Sequence, residues 1–223
     1  MFQYILFDLD GTLTDSKPGI LNCIRYALDY MQYTDYNDAF LNQFVGPPLM
    51  VSFQQFCGFS EEQATIATNK YRERFATIGI FENAAYEGAV SMLKNLKSAG
   101  KTIALATSKP EEYTLRIIER YGLAPYIDEP VGATMDGSRE KKPDVIREAL
   151  QRLNLTTPEQ FAQTVMIGDR FYDIEGAKEC NLASIGCNWG YSDPLELEQA
   201  GATYIADNIP QLTTLLLGNE KNS

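Results

Sequence analysis

The sequence predicts an α/β protein: a parallel β-sheet covered on both faces by helices, with an all-helical segment inserted near its start. Three observations predict it. From about residue 83 onward, short and nearly continuous apolar runs alternate with helix-periodic segments, the pattern of strands buried on both faces. One more such run, Gln3 to Phe7, stands alone at the N-terminus. Between the two, from Pro18 to about Phe81, helical spacing continues with no strand pattern.

Gln3-Tyr4-Ile5-Leu6-Phe7 is closed by Asp8, Asp10 and Gly11, a buried strand ending in a turn. Gly19 to Met31 sets Ile20, Leu21, Ile24, Ala27, Leu28 and Met31 at helical spacing. Asn37 to Phe44, Leu49 to Phe56 and Ser60 to Ile78 also read as helices, the last opened by a capping box of Ser60 and Gln63. Gly88 to Ala99 is a helix stopped by Gly100, Thr102 to Thr107 a strand, and Pro110 to Tyr121 a helix with proline at its start and Gly122 past its end. Pro130 to Ala133 is a strand, Asp144 to Leu153 a helix, Thr164 to Gly168 a strand and Ile174 to Cys180 a helix. Ala183 to Gly186 and Thr203 to Ile205 are short strands, with helices at Leu195 to Ala200 and Ile209 to Leu216, and Gly218 to Ser223 reads as a fraying polar tail. The expected architecture is a Rossmann-like core of residues 1–14 and 83–223 with a helical domain over 15–82. In such sheets ligands sit at the carboxyl ends of the strands.

The composition, 44% hydrophobic and 22% charged over 223 residues, supplies a sizeable core. No apolar run approaches the roughly 18 residues of a membrane span. Met1 to Leu13 carries two aspartates and no basic region, so neither a membrane segment nor a signal peptide is expected, and a cytoplasmic location is. The four cysteines form no Cys-x-x-Cys pair and read as reduced, mostly buried thiols. There is no histidine, which excludes a Ser-His-Asp triad, a Cys-His dyad and the usual His-based zinc site. The net charge of −11 disfavours nucleic-acid polymers as partners. A small phosphate ester is compatible with it, drawn in locally by a metal and one or two lysines.

The chemistry-bearing residues fall at strand ends. Asp8 and Asp10, two apart, suit a pair with different roles, one an anionic nucleophile and one a proton carrier. Gly11 allows a close turn beside a ligand, and Thr12 can bond an oxyanion or the local backbone. Thr107 and Ser108 place hydroxyls before a helix, where a phosphate oxygen can be held; the competing use of either is a helix cap. Lys142, in Glu140-Lys141-Lys142-Pro143-Asp144, can neutralise a phosphate and a carboxylate together, although a Lys-Lys pair before a helix is often plain surface. Asp169 ends a strand and Asp173 lies in the first turn of the next helix; an all-oxygen site joining Asp169 to Asp8 suits Mg²⁺. Together these residues supply a nucleophile, an acid/base, an anion clamp and a metal site.

The stretch Phe7-Asp8-Leu9-Asp10-Gly11-Thr12-Leu13 resembles the first motif of the haloacid dehalogenase superfamily of phosphotransferases. Thr107 resembles its second motif, Lys142-Pro143 its third, and Gly168-Asp169 with Asp173 its fourth. The helical insert is similar to the cap that phosphoglycolate phosphatase-like members carry between motifs one and two, while Gly137 to Lys142 looks more like a 5′-nucleotidase-like branch. The resemblance implies a Mg²⁺-dependent phosphatase. Asp8 forms an aspartyl-phosphate and Asp10 serves as acid and then base. Thr107, Ser108 and Lys142 bind phosphate. Asp8, the carbonyl of Asp10 and Asp169 hold the metal, with Asp173 in support. It also implies a small phosphorylated metabolite as partner: phosphoglycolate, a nucleoside monophosphate or a sugar phosphate. A sugar phosphomutase of the β-phosphoglucomutase kind shares these residues, and a phospho-acceptor signalling domain shares the strand-end aspartates, Thr/Ser and Lys. In the cap, Phe44 to Leu49 reads as either a substrate-facing loop or a plain turn, and Arg72 and Arg74 read as solvated helix arginines in preference to contacts for a substrate anion.

Overall fold

The computed structural model describes residues 2–218, so Asn219 to Ser223 of the polar tail lie outside the described residues. Among the described residues eight strands and eleven α-helices follow in chain order. They are β1 (Tyr4–Phe7), β2 (Thr14–Asp15), α1 (Lys17–Tyr30), α2 (Asp38–Asn42), α3 (Leu49–Cys57), α4 (Glu61–Phe75), β3 (Ala84–Ala85), α5 (Ala89–Ser98), β4 (Thr102–Pro110), α6 (Glu111–Arg120) and β5 (Glu129–Ala133). The remainder are α7 (Lys142–Arg152), α8 (Pro158–Ala162), β6 (Thr164–Gly168), α9 (Phe171–Glu179), β7 (Ala183–Cys187), α10 (Glu196–Ala200), β8 (Tyr204–Ala206) and α11 (Ile209–Leu217). The chain divides into two compact units, one made of the residues up to Asp15 and from Ala85 on, the other of Ser16–Ala84.

The first unit is an α/β fold. Six strands form one sheet in the order β5-β4-β1-β6-β7-β8, and every pairing is parallel. β1 is central, and Ile5, Leu6 and Phe7 are fully buried, as a strand covered on both faces requires. Helices α7 and α9 pack against the strands, closing a core of Leu6, Ala104, Val131, Val145, Ile146, Met166 and Ala177. Helices α5 and α11 pack on each other. The order reverses at β1: the chain moves from it to β4 and β5 on one side and to β6, β7 and β8 on the other. Their carboxyl ends converge there, the expected place for a ligand.

Several elements differ from the sequence reading; β2 and β3, two residues each, are too short for a pattern to show and were not expected. β4 runs to Pro110, three residues past the expected Thr107, because the chain stays extended beside β5 through an irregularity between Ala106 and Pro110. α8 was not expected. It has five residues, too few for periodicity to show, although its start carries a capping box of Thr157 and Gln160.

The second unit holds α1 to α4 and a short 3₁₀ turn, Gly79–Phe81. Ser60 and Gln63 form the expected reciprocal cap at the start of α4. An aromatic cluster anchors this unit: Phe44 lies 5.2 Å from Phe53 and 5.3 Å from Phe56, in tilted and edge-on geometries. Phe44 and Val45 are buried, so the start of the Phe44 to Leu49 loop is core. Arg74 is not a free surface arginine: it donates twice to Glu82, at 2.6 and 2.9 Å, and reaches Cys23 Sγ. The cysteines are free thiols; Cys23, Cys180 and Cys187 are buried. No helix among the described residues is long and apolar enough to cross a membrane.

Candidate active site

The site assembles where β1, β4 and β6 end. β1 pairs with β6 up to Phe7 and Ile167, and the Asp8 N–H continues the ladder by donating to the Ile167 carbonyl at 2.8 Å. Asp8 is therefore fixed by sheet hydrogen bonds, its carboxylate buried at the strand end. Beyond it the chain turns tightly, with Thr12, Leu13 and Thr14 N–H groups all directed at the Leu9 carbonyl. Asp169 ends β6 and is fully buried; Asp173 opens α9 and is also buried. One Asp173 oxygen caps that helix by accepting from the Arg170 N–H at 3.1 Å, while the other faces Lys142. Oxygens of Asp8, Asp169 and Asp173 lie within 4.8 Å of one another.

Lys142 is the first residue of α7, with Pro143 beside it in the first turn. Its buried ammonium stands 3.1 Å from Asp8 Oδ1 and 2.8 Å from Asp173 Oδ1, and donates to the Ala106 carbonyl at 3.0 Å. Burial works to lower its pKa, but the Asp173 and Asp8 carboxylates more than offset that and hold it above the usual lysine value. Lys141, its neighbour, is exposed. Asp169 is pushed well above the ordinary carboxylate range by burial and then by the charges of Asp173 and Asp8. The Tyr191 N–H and the Thr12 hydroxyl oppose this. Asp173 is raised to about 6, again chiefly by burial, against the pull of Lys142.

These carboxylates suit a hard divalent cation. Three buried carboxylates against one buried ammonium leave a formal −2 when all are ionised, which adds to the effect of burial in raising Asp169 and Asp173. Asp8 Oδ1 and Asp173 Oδ1 are buried and receive no directed hydrogen bond. An all-oxygen donor set of this kind matches Mg²⁺ or a similar ion.

The structure brings together Asp8, Asp169, Asp173 and Lys142. The Asp10 side chain turns aside from that trio, its Oδ2 2.8 Å from the Lys109 ammonium. Thr107 is buried at the end of β4, adjacent to β1 by the Phe7–Leu105 register, and its hydroxyl accepts from the Lys109 N–H at 3.2 Å. Ser108, next along, is exposed. The Thr12 hydroxyl donates to Asp169 Oδ1 at 2.9 Å.

Sequence reasoning missed two contributions. Lys109 is one, because the apolar run of β4 stops at Thr107; carried two residues further, strand alternation sets Lys109 on the Thr107 face. The other is the segment after β7. Trp189 Nε1 donates to the Thr12 carbonyl at 3.1 Å, the Tyr191 N–H donates to Asp169 Oδ2 at 2.8 Å, and the Tyr191 hydroxyl donates to Asp15 Oδ1 at 2.9 Å. A Cβ at Gly190 would stand 2.2 Å from Asp169 Cβ, so glycine alone allows that approach. Its signal was available: the chain's single tryptophan followed by glycine at the carboxyl end of a strand.

The fold and site define an α/β protein with a buried carboxylate cluster at the ends of its central strands. Comparison with known proteins agrees. The sequence matches the haloacid dehalogenase-like hydrolase family over residues 5–187. It is 35% identical over 215 residues to a 5′-nucleotidase of Pseudomonas aeruginosa, covering 96% of each chain. It is 34% identical to the tyrosine-protein kinase PtkA of Mycobacterium tuberculosis, over 91% of this chain and 68% of that one. A crystal structure described as a predicted phosphatase from Clostridium acetobutylicum shares 42% identity over 97% of this chain and 99% of its own, with a TM-score of 0.88. The chain belongs to the haloacid dehalogenase-like hydrolases, and within them it is a phosphatase.

Proposed function

We propose that this phosphatase hydrolyses a small phosphate monoester with Mg²⁺ through a covalent phosphate on Asp8, and that nucleoside 5′-monophosphates are its substrate class. The observation that carries the reaction is Asp8, held at the centre of the sheet between a buried ammonium and two buried carboxylates. In the first step an Asp8 oxygen bonds to phosphorus, the phosphorus–ester oxygen bond breaks, and Asp10 gives its proton to the departing oxygen. In the second step Asp10 takes a proton from water, the water oxygen bonds to phosphorus, and Asp8 leaves as a free carboxylate. Thr107 and Lys142 hold the phosphoryl oxygens; the Thr107 hydroxyl already accepts from the Lys109 N–H, so its own hydrogen is available to donate. Mg²⁺, held by Asp8, Asp169 and the Asp10 carbonyl with Asp173 in support, would neutralise charge on the transferring group. Asp10 also separates this site from a phospho-acceptor domain, which needs a lasting aspartyl-phosphate.

The substrate class rests on the relative named a 5′-nucleotidase, which matches nearly end to end, and on the Gly137 to Lys142 stretch. A panel of nucleoside monophosphates, phosphoglycolate and sugar phosphates, assayed with Mg²⁺ and with EDTA, tests it. Nucleoside monophosphates are expected to rank first, EDTA to abolish turnover, and Asp8→Asn to lower kcat roughly 10³-fold or more. Turnover surviving EDTA or the Asp8 change would overturn the mechanism. A first rank for phosphoglycolate or a sugar phosphate would overturn the substrate class alone.

A further inference from the structure

Lys109 and Asp10 form a second ion pair beside the carboxylate trio, and the surrounding chain is built to present it. The Lys109 side chain is 6% exposed and its ammonium stands 2.8 Å from Asp10 Oδ2. The other Asp10 oxygen, Oδ1, is buried and receives no hydrogen bond. One oxygen is thus tethered and the other is left with unused hydrogen-bonding capacity, which a buried carboxylate oxygen ordinarily fills.

The mount for Lys109 is equally specific. Between Ala106 and Pro110 β4 advances four residues while β5 advances two, from Val131 to Ala133, so Thr107 to Lys109 bow out of the ladder. That bow fits only because residue 132 is glycine: a Cβ there would stand 2.6 Å from the Lys109 carbonyl and 2.7 Å from the Glu111 backbone. Glu111, two residues on, accepts from the Gly132 N–H at 3.2 Å and from Arg139 and Arg152 at 2.9 and 3.0 Å. Arg139 in turn donates to the Gly132 carbonyl at 3.0 Å. A charged network therefore fixes the backbone just after Lys109 against β5.

We infer that Lys109 is a positioning residue for Asp10: it anchors Oδ2 and so presents Oδ1 to the leaving-group oxygen and to the attacking water. The inference rests on the acid/base reading of Asp10 and deepens it. Lys109 needs no contact with substrate in this role, and both proton transfers run through Oδ1. An unanchored carboxylate would spend less time in the productive orientation, so turnover falls more than binding does.

The test is Lys109→Met, which keeps the stem and removes the charge, with Lys109→Arg as the conservative variant. For a nucleoside monophosphate, Lys109→Met is expected to lower kcat roughly 10- to 100-fold with KM changed less than about threefold, and Lys109→Arg to restore most of the loss. With p-nitrophenyl phosphate, whose leaving group departs without a proton, the variant should still release a rapid burst of p-nitrophenolate and then turn over slowly. A KM rise with kcat unchanged would make Lys109 a substrate contact and overturn the inference. Loss of the burst along with turnover would make it part of the Asp8 step or of the fold, and would also overturn it. If Lys109→Met does not fold, Lys109→Gln takes its place under the same criteria: a burst followed by slow turnover with KM little changed supports the role, and a raised KM with kcat unchanged, or loss of the burst, overturns it. Asp10→Asn separates the two levels. If it keeps turnover, the acid/base reading falls; if it loses turnover while the Lys109 variants do not, only the positioning role falls.

Discussion

Asp169 is gripped by backbone on two sides. A Cβ at Gly11 would stand 2.2 Å from its Oδ2, and one at Gly190 would stand 2.4 Å from the same oxygen. Gly11 also has a φ of +80°, whereas Gly190 is not in the left-handed region, so an alanine at 190 changes contact without adding backbone strain. Gly190→Ala is expected to push the carboxylate out of line and weaken divalent-cation binding by roughly 10-fold or more, as losses of outer support around a metal ligand do. A cation titration of the folded variant, followed by calorimetry, checks this; unchanged affinity would show that the Asp169 position is not what the cation requires. At this scale the sequence was legible where a residue's chemistry is unusual for its place. Acids ending an apolar strand, and a lysine before a proline, announce themselves. Lys109 is less marked, because an isolated lysine acquires meaning only from the neighbour it meets across the fold, and Gly190 is marked only by the tryptophan before it.

Strand-helix alternation predicted the sheet because its strands are buried on both faces and so carry unbroken apolar runs. The end of β4 was illegible for the converse reason. Ser108, Lys109 and Pro110 are polar or helix-starting residues, held extended by Gly132 and the Glu111 network, contacts distant in sequence. In the helical unit the Arg74–Glu82 pair ties α4 to the chain beyond it. The guanidinium hydrogen bonds hold the Glu82 carboxyl below its usual range, against the opposing effect of burial. A depressed carboxylate contributes stability that is present above the unfolded pKa, near 4.3, and is lost as pH falls through the folded value. Both side chains are partly exposed, which trims the pair to about 1 kcal/mol. Glu82→Gln is therefore expected to cost about 1 kcal/mol at pH 7 in urea unfolding, and the gap from the parent to close between about pH 5 and 3. A gap that stays constant through that range would mean the ion pair is not its source.

Across the whole molecule, an acidic chain of net charge −11 places three carboxylates in the interior of its catalytic core. The sequence showed the surplus charge and the strand-end aspartates, but not that Asp8, Asp169 and Asp173 converge while Asp10 pairs elsewhere; that depends on strand order. Convergence has a thermodynamic consequence. Asp169 and Asp173 have folded pKa values raised chiefly by burial, so their contribution is fully present below the unfolded carboxylate pKa and is lost as pH rises through the folded values. The metal-free protein is therefore expected to lose stability from these groups from about pH 4 upward. A divalent cation reverses the sign, because it requires the ionised carboxylates and repays their burial. At a hundred times its dissociation constant a bound ion adds about 2.7 kcal/mol, which for a chain of this size is a rise in Tm of about 5–10 °C. Thermal unfolding of the core with and without Mg²⁺ is expected to show that rise near pH 7.5 and a smaller one near pH 5. Asp169→Asn should abolish the rise while increasing Tm in EDTA, since it removes one of the mutually repelling buried charges. An equal Mg²⁺ effect in the variant, or a larger effect at pH 5 than at pH 7.5, would place the cation somewhere other than among these three aspartates.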